Sequence, residues 1–222
     1  MGWTGIYRNG RDSTADLLRH ELTPRDSADP GAGVQDIALV GRNTAYVAYR
    51  QPGPGAACFA IVMLLLHSRD ELMFKDMDEF MGPNESDCPK RILDLLTPID
   101  PDDDRNGYAR AWRERCRANL ERRAVARELE PGDVIRFPQP FSFSDGTKLR
   151  SFVVDRPAPR KPLRLHAVVG FGEDGRARPS YVHYRISNWR TRAFERLTPE
   201  QARAELEQER AAVLATHGLV VP

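Results

Sequence analysis

Apolar and polar positions change their period several times along the chain, and each change marks an element. Ser13-Thr14-Ala15-Asp16 reads as a helix start, with Leu17, Leu18 and Leu22 on one side and Pro24 beyond the end. A loop rich in Asp, Pro and Gly runs on to Gly33. Ile37, Leu39, Ala45, Val47 and Tyr49 then alternate around a bend at Gly41-Arg42-Asn43, the pattern of a hairpin. Past the Pro-Gly turn at 52–55, the run CFAIVMLLL from Cys58 is apolar at every position. A strand apolar on both faces is a central strand covered on two sides. The flanking Gly and Pro favour strand over a short buried helix. The sheet pattern continues to Phe74, and Met81-Gly-Pro-Asn84 reads as a turn. Asp87 or Cys88 caps a helix that begins at Pro89 and has Ile92, Leu93, Leu95 and Leu96 on its apolar side. Over 107–129, Trp112, Cys116, Leu120 and Ala124 recur every four residues, a helical stripe that arginines surround.

From Glu130 the period becomes two. Short strands follow: VIRF, then FSF and KLRSFVV around Asp145-Gly146, then LRLHAVVGF and YVHYRISNW around Glu173-Asp-Gly175. Thr198-Pro-Glu-Gln201 is a capping box that opens a last helix, expected to run to about His217 with Gly218 as its cap. The expected fold is α+β. An N-terminal β-hairpin and sheet with helices fills 1–127, and a small antiparallel β-barrel-like half with a C-terminal helix fills 128–222. The two halves read as two domains or as one continuous domain.

Composition narrows the class. The 222 residues are 41% apolar and 29% charged, with a net charge of +1. A chain of this length buries roughly 70% of its extended surface and needs no disulfide or metal to fold. The longest apolar run, from Ala56 to Leu66, falls short of the ~20 residues of a membrane span. The N-terminus lacks the apolar stretch of a secretion signal, and Cys58, Cys88 and Cys116 form no disulfide or metal pattern. A cytoplasmic protein without membrane partners or cofactors is expected.

Charge is the first uneven feature. Residues 66–104 hold 12 acidic against 4 basic side chains, and residues 105–196 hold 21 basic against 10 acidic. A surface separated by sign would follow, with a basic face for phosphate or for an acidic partner. Mutual neutralisation of the two segments is the plainer alternative.

Several strings carry a resemblance: the opening Met1-Gly-Trp-Thr4, Lys75-Asp-Met-Asp-Glu79 with Gly82-Pro83, Cys88-Pro89 with Ile92-Leu-Asp-Leu-Leu96, Trp112-Arg113, and Tyr184-Arg-Ile-Ser-Asn-Trp-Arg190. Together they resemble an uncharacterised family of bacterial proteins often carried on phages and plasmids. The resemblance implies a mobile-element setting and no catalytic residue.

The leading expectation is a non-enzymatic accessory protein that binds nucleic acid, or a host nucleic-acid-handling complex. Contacts would come from Arg110, Arg113 and Arg117 on the arginine-rich helix, and from Arg185, Trp189, Arg190 and Arg192 at the end of the last long strand. The alternative is a papain-like thiol hydrolase, in which Cys88 at a helix N-terminus is the nucleophile and His166 on a strand is the base. A further alternative is an acidic interaction module that inhibits a basic partner. No metal site is expected: Asp76, Asp78 and Glu79 could hold a divalent ion, but a polar loop whose carboxylates cap the next helix or pair with arginines is the preferred reading. Asp102, Asp104, Asn106 and Gly107 match the first half of a calcium loop, but Arg113 stands where the twelfth-position glutamate is required.

Overall fold

A computed structural model describes residues 2–8, 12–24, 28–100, 102, 106–144, 146–158 and 161–216, with backbone only at 182, 183 and 210–216. Asp104, Asp145 and the expected helix end at His217 and Gly218 lie outside the described residues. The chain forms two compact units, Met1–Glu121 and Arg122–Pro222, each described by itself. The division falls inside a helix, because the first part of that helix packs in one core and its tail in the other.

The first unit is a five-stranded antiparallel sheet built from β1 (Thr4–Tyr7), β2 (Gly33–Val40), β3 (Thr44–Arg50), β4 (Cys58–His67) and β5 (Glu71–Asp78). Its spatial order is β1-β5-β4-β3-β2, so the doubly apolar β4 is the middle strand, as its pattern requires. Cys58, Ala60 and Val62 face one core; Ile61, Met63 and Leu65 face the other. Helix α1 (Thr14–Leu22) covers the second face with Leu17 and Leu18, and Ser13 and Asp16 form its capping box. The first face is covered by the single-turn α2 (Lys90–Leu93) and by α3 (Gly107–Arg127), through Ile92, Leu93, Trp112 and Cys116. Helix α2 starts one residue later than expected: Pro89 itself is the N-cap and no side chain caps it. Strand β5 runs on to Asp78, past the expected end at Phe74, because its partner β4 pairs down to Ile61.

The second unit is a separate antiparallel sheet of β6 (Val134–Ser142), β7 (Lys148–Asp155), β8 (Arg164–Phe171), β9 (Ala177–Tyr184) and β10 (Glu195–Leu197), followed by α4 (Pro199–Thr216). Its order is β10-β6-β7-β8-β9. The sheet is open, which corrects the barrel-like expectation: the edge strand β10 has three residues and leads straight into α4, leaving little backbone to close against β9. Ile135, Phe152 and Leu165 point to a core shared with the tail of α3, while Val134, Val153 and Leu197 point to α4. No helix among the described residues is long and apolar enough to cross a membrane.

Candidate functional site

The aromatic residues of the second half turn inward first. Phe137 meets Phe141, Phe152 and Phe194 at ring distances of 5.1–6.3 Å, and Phe143 meets Tyr184 at 4.3 Å. Trp189 is buried within this cluster and stacks near Phe194, so it is not an exposed platform for bases. Tyr181 on β9 is by contrast fully exposed.

Arginines lie on the outer side of this cluster. The chain leaves β9 and turns through Asn188, whose left-handed φ of 54° an asparagine tolerates. A 3-10 turn over Trp189–Thr191 follows. The turn lays the Arg190 guanidinium over the Trp189 ring at 4.6 Å and lets its Nη2 donate to the Leu163 carbonyl at 3.3 Å. Arg192 lies over Phe141 at 5.3 Å and donates through Nε to the Ser187 carbonyl at 3.2 Å. Arg122 at the tail of α3 donates to the Thr191 carbonyl at 3.2 Å. Burial, and then repulsion from Arg123, lowers the pKa of Arg190. Among the described residues no carboxylate pairs with Arg190 or Arg192. Their hydrogen bonds go to neutral carbonyls, and positive charges gather at one place. Arg185 is exposed on the same segment.

Other arginines expected on a binding face are placed differently. Arg110, Arg113 and Arg117 belong to the first unit. Arg117 is exposed and Arg110 half-buried. Arg113 is buried and cannot meet a polyanion: its Nε and Nη2 donate to the two oxygens of Glu79 at 2.6 and 2.5 Å, and its Nη1 to the Thr97 carbonyl at 2.6 Å. Glu79 is fully buried and also accepts from the Ala60 amide at 3.3 Å. The acidic trio is thereby split. Asp76 is exposed on β5, Asp78 accepts from the Met81 amide, and Glu79 points into the core. Among the described residues no three Cys, His, Asp or Glu side chains are grouped to hold a metal ion.

Cys88 is fully buried beside Cys116, with its thiol 3.8 Å from the Pro89 carbonyl. Burial raises its pKa far above that of an ordinary thiol. A one-turn helix is too short a dipole to reverse that cost. His166 on β8 is buried in the second unit, with Nδ1 2.8 Å from the Ser180 carbonyl and Nε2 3.7 Å from Asp155. Cys88 thus has the surroundings of a core thiol and His166 those of a core histidine, each within its own unit.

Sequence spacing did not single out Arg122 and Arg123. They join Arg190 across 67 positions or more, and no local period carries that pairing. The Glu79–Arg113 pair was hidden in the same way.

Residues 103–189 match a family model described only as a domain of unknown function, DUF6927. No curated protein and no solved structure is similar to the chain at a significant level.

Proposed function

We propose that the second unit binds nucleic acid through its phosphate backbone, with Arg122, Arg123, Arg190 and Arg192 as the contact set and Arg185 at its margin. The observation that carries this reading is the arginine turn. Arg190 lies over Trp189 with Arg123 as a like-charged neighbour, and neither Arg190 nor Arg192 has a carboxylate partner among the described residues. Gathering like charges costs free energy that an anionic ligand returns. Orienting each guanidinium on an aromatic ring lowers the entropy lost when it binds phosphate. The buried aromatics argue against stacking on bases, so the reading is one of charge and shape, without sequence preference. The buried thiol of Cys88 speaks against the hydrolase alternative. We place the activity in the cytoplasm, where three buried free cysteines stay reduced, and in a mobile-element setting on the motifs alone.

The test is fluorescence anisotropy of a labelled duplex and a labelled single strand against salt. Four phosphate contacts give a log–log slope near −3.6 on duplex, hence about a hundredfold loss of affinity from 50 to 200 mM salt. Arg190→Gln with Arg192→Gln is expected to flatten that slope by about 2 with no loss of stability. Absence of binding at low salt, or binding indifferent to salt, rejects the proposal.

A further inference from the structure

The first unit holds a cavity of about 450 Å³ that the nucleic-acid reading does not use. The volume lies within the range of small-molecule sites. One wall is aromatic. Phe80, in the 3-10 turn Glu79–Met81 that follows β5, keeps 39% of its surface exposed and rests on Phe59 with ring centres 5.8 Å apart. Phe59 in turn meets Tyr49 at 5.6 Å, edge to face, so the wall is braced from behind. Pro98 and Ile99 line the cavity as well, and Cys58 adds a soft, polarisable surface.

The polar end is Arg113. Its side chain is only 7% exposed, yet it lines the cavity. A guanidinium has five N–H donors. Three are bound: two on Glu79 and one on the Thr97 carbonyl. The other two have no acceptor among the described residues. Buried donors are nearly always satisfied, so an incoming acceptor has a place here. Thr97 is itself fixed, since its hydroxyl accepts from the Cys58 amide at 2.8 Å and its amide donates to the Cys58 carbonyl at 2.9 Å.

Charge selects the kind of acceptor. Glu79 already neutralises Arg113, and Asp100 lines the same cavity. Among the described residues at the cavity, a carboxylate or phosphate entering here would meet two negative side chains and one positive one. A neutral carbonyl meets no such repulsion, and a planar ring fits the aromatic wall. We propose that this cavity binds a neutral aromatic or heteroaromatic ligand bearing a carbonyl-type acceptor, with its ring on Phe80 and its acceptor on Arg113.

The experiment titrates the full chain with benzamide, benzoate and cyclohexanecarboxamide and follows amide and Arg113 Nε–H shifts by NMR. Benzamide is expected to saturate with a Kd of roughly 1–10 mM, as its few heavy atoms permit, and to move Thr97, Phe80 and Arg113 together. Benzoate, matched in shape but charged, is expected to bind at least tenfold more weakly, and the non-aromatic amide at least threefold more weakly. Phe80→Ala removes a half-exposed ring and is expected to leave the fold intact while weakening benzamide at least fivefold. The proposal is overturned by the absence of saturation, by benzoate binding as well as benzamide, or by Phe80→Ala leaving the affinity unchanged. None of these outcomes bears on the arginine cluster of the other unit.

Discussion

The Glu79–Arg113 pair places two charges in the interior of the first unit, and its value lies in mutual satisfaction rather than in net stability. Removing one partner leaves the other charge buried and uncompensated, which costs about 3–5 kcal/mol. Glu79→Gln keeps the shape and removes the charge, so it is expected to lower the unfolding free energy measured in urea by that amount. Replacing both at once, Glu79→Leu with Arg113→Met, is expected to recover most of the loss. A cost under about 1 kcal/mol for Glu79→Gln would show that water reaches the pair. The same reasoning governs the thiols. Burial raises Cys88 strongly, holds Cys116 at about 12 and raises Cys58 as well. All three are thus protonated near neutral pH, and a disulfide reagent is expected to label the fully buried Cys88 and Cys116 only at the rate of unfolding, with no fast phase at Cys88. A fast, stoichiometric phase at Cys88 would return the hydrolase reading to contention.

Helix α4 is fastened to the second sheet by charge as much as by Ala202 and Leu197. Glu205 is nearly buried and accepts from Arg150 Nε at 2.5 Å, Arg136 Nη1 at 2.9 Å and Ser151 Oγ at 3.1 Å. Burial alone would raise its carboxyl, but these hydrogen bonds outweigh burial and hold it below the ordinary value. One turn on, Glu209 is raised by burial and by Glu205, against the pull of Arg150. The two carboxylates therefore act with opposite sign. The contribution of Glu205 is full above its ordinary pKa and is lost as pH falls through the lowered value. That of Glu209 is full below its ordinary pKa and is lost as pH rises through the raised value. Glu195, which shares Arg136, belongs to the same network. Glu209→Gln is expected to raise the thermal midpoint near neutral pH and to leave it unchanged near pH 4, whereas Glu205→Gln is expected to reduce the unfolding free energy near neutral pH by about 1–3 kcal/mol and by much less in acid. A Glu209→Gln variant no more stable than the parent at neutral pH would contradict this assignment. Elements of this unit were legible where side chains alternate, and so was the buried β4 of the other. Strand β1 was not, because an exposed edge strand of four residues shows no alternation and its pairing with β5 is non-local. The inward turn of Arg113 was equally hidden, since in a helix ringed by arginines only a partner 34 residues away picks one out.

Across the whole chain, each unit closes its own core. Every buried residue of the first two clusters lies before Arg122, and every one of the other two lies after it. Helix α3 alone contributes to both, with Trp112 and Cys116 in one and Ala126 in the other. Continuity of a helix is a weak coupling, because a helix can fray at one end while its other end stays packed. Cores complete in themselves are expected to melt as separate cooperative units. Buried tryptophans report on each: Trp112 on the first and Trp189 on the second, once the half-exposed Trp3 is replaced by Phe. Phe152→Ala deletes a fully buried ring from the second core and costs about 3–5 kcal/mol. In a unit of this size that lowers its midpoint by more than about 10 °C. The Trp189 signal is expected to shift by that amount while the Trp112 signal stays within about 2 °C. If both shift together, α3 transmits stability between the cores and the arginine cluster cannot be loosened without loosening the first sheet. If they separate, nucleic-acid affinity will fall with the second transition and benzamide binding with the first, because each site is built from one core.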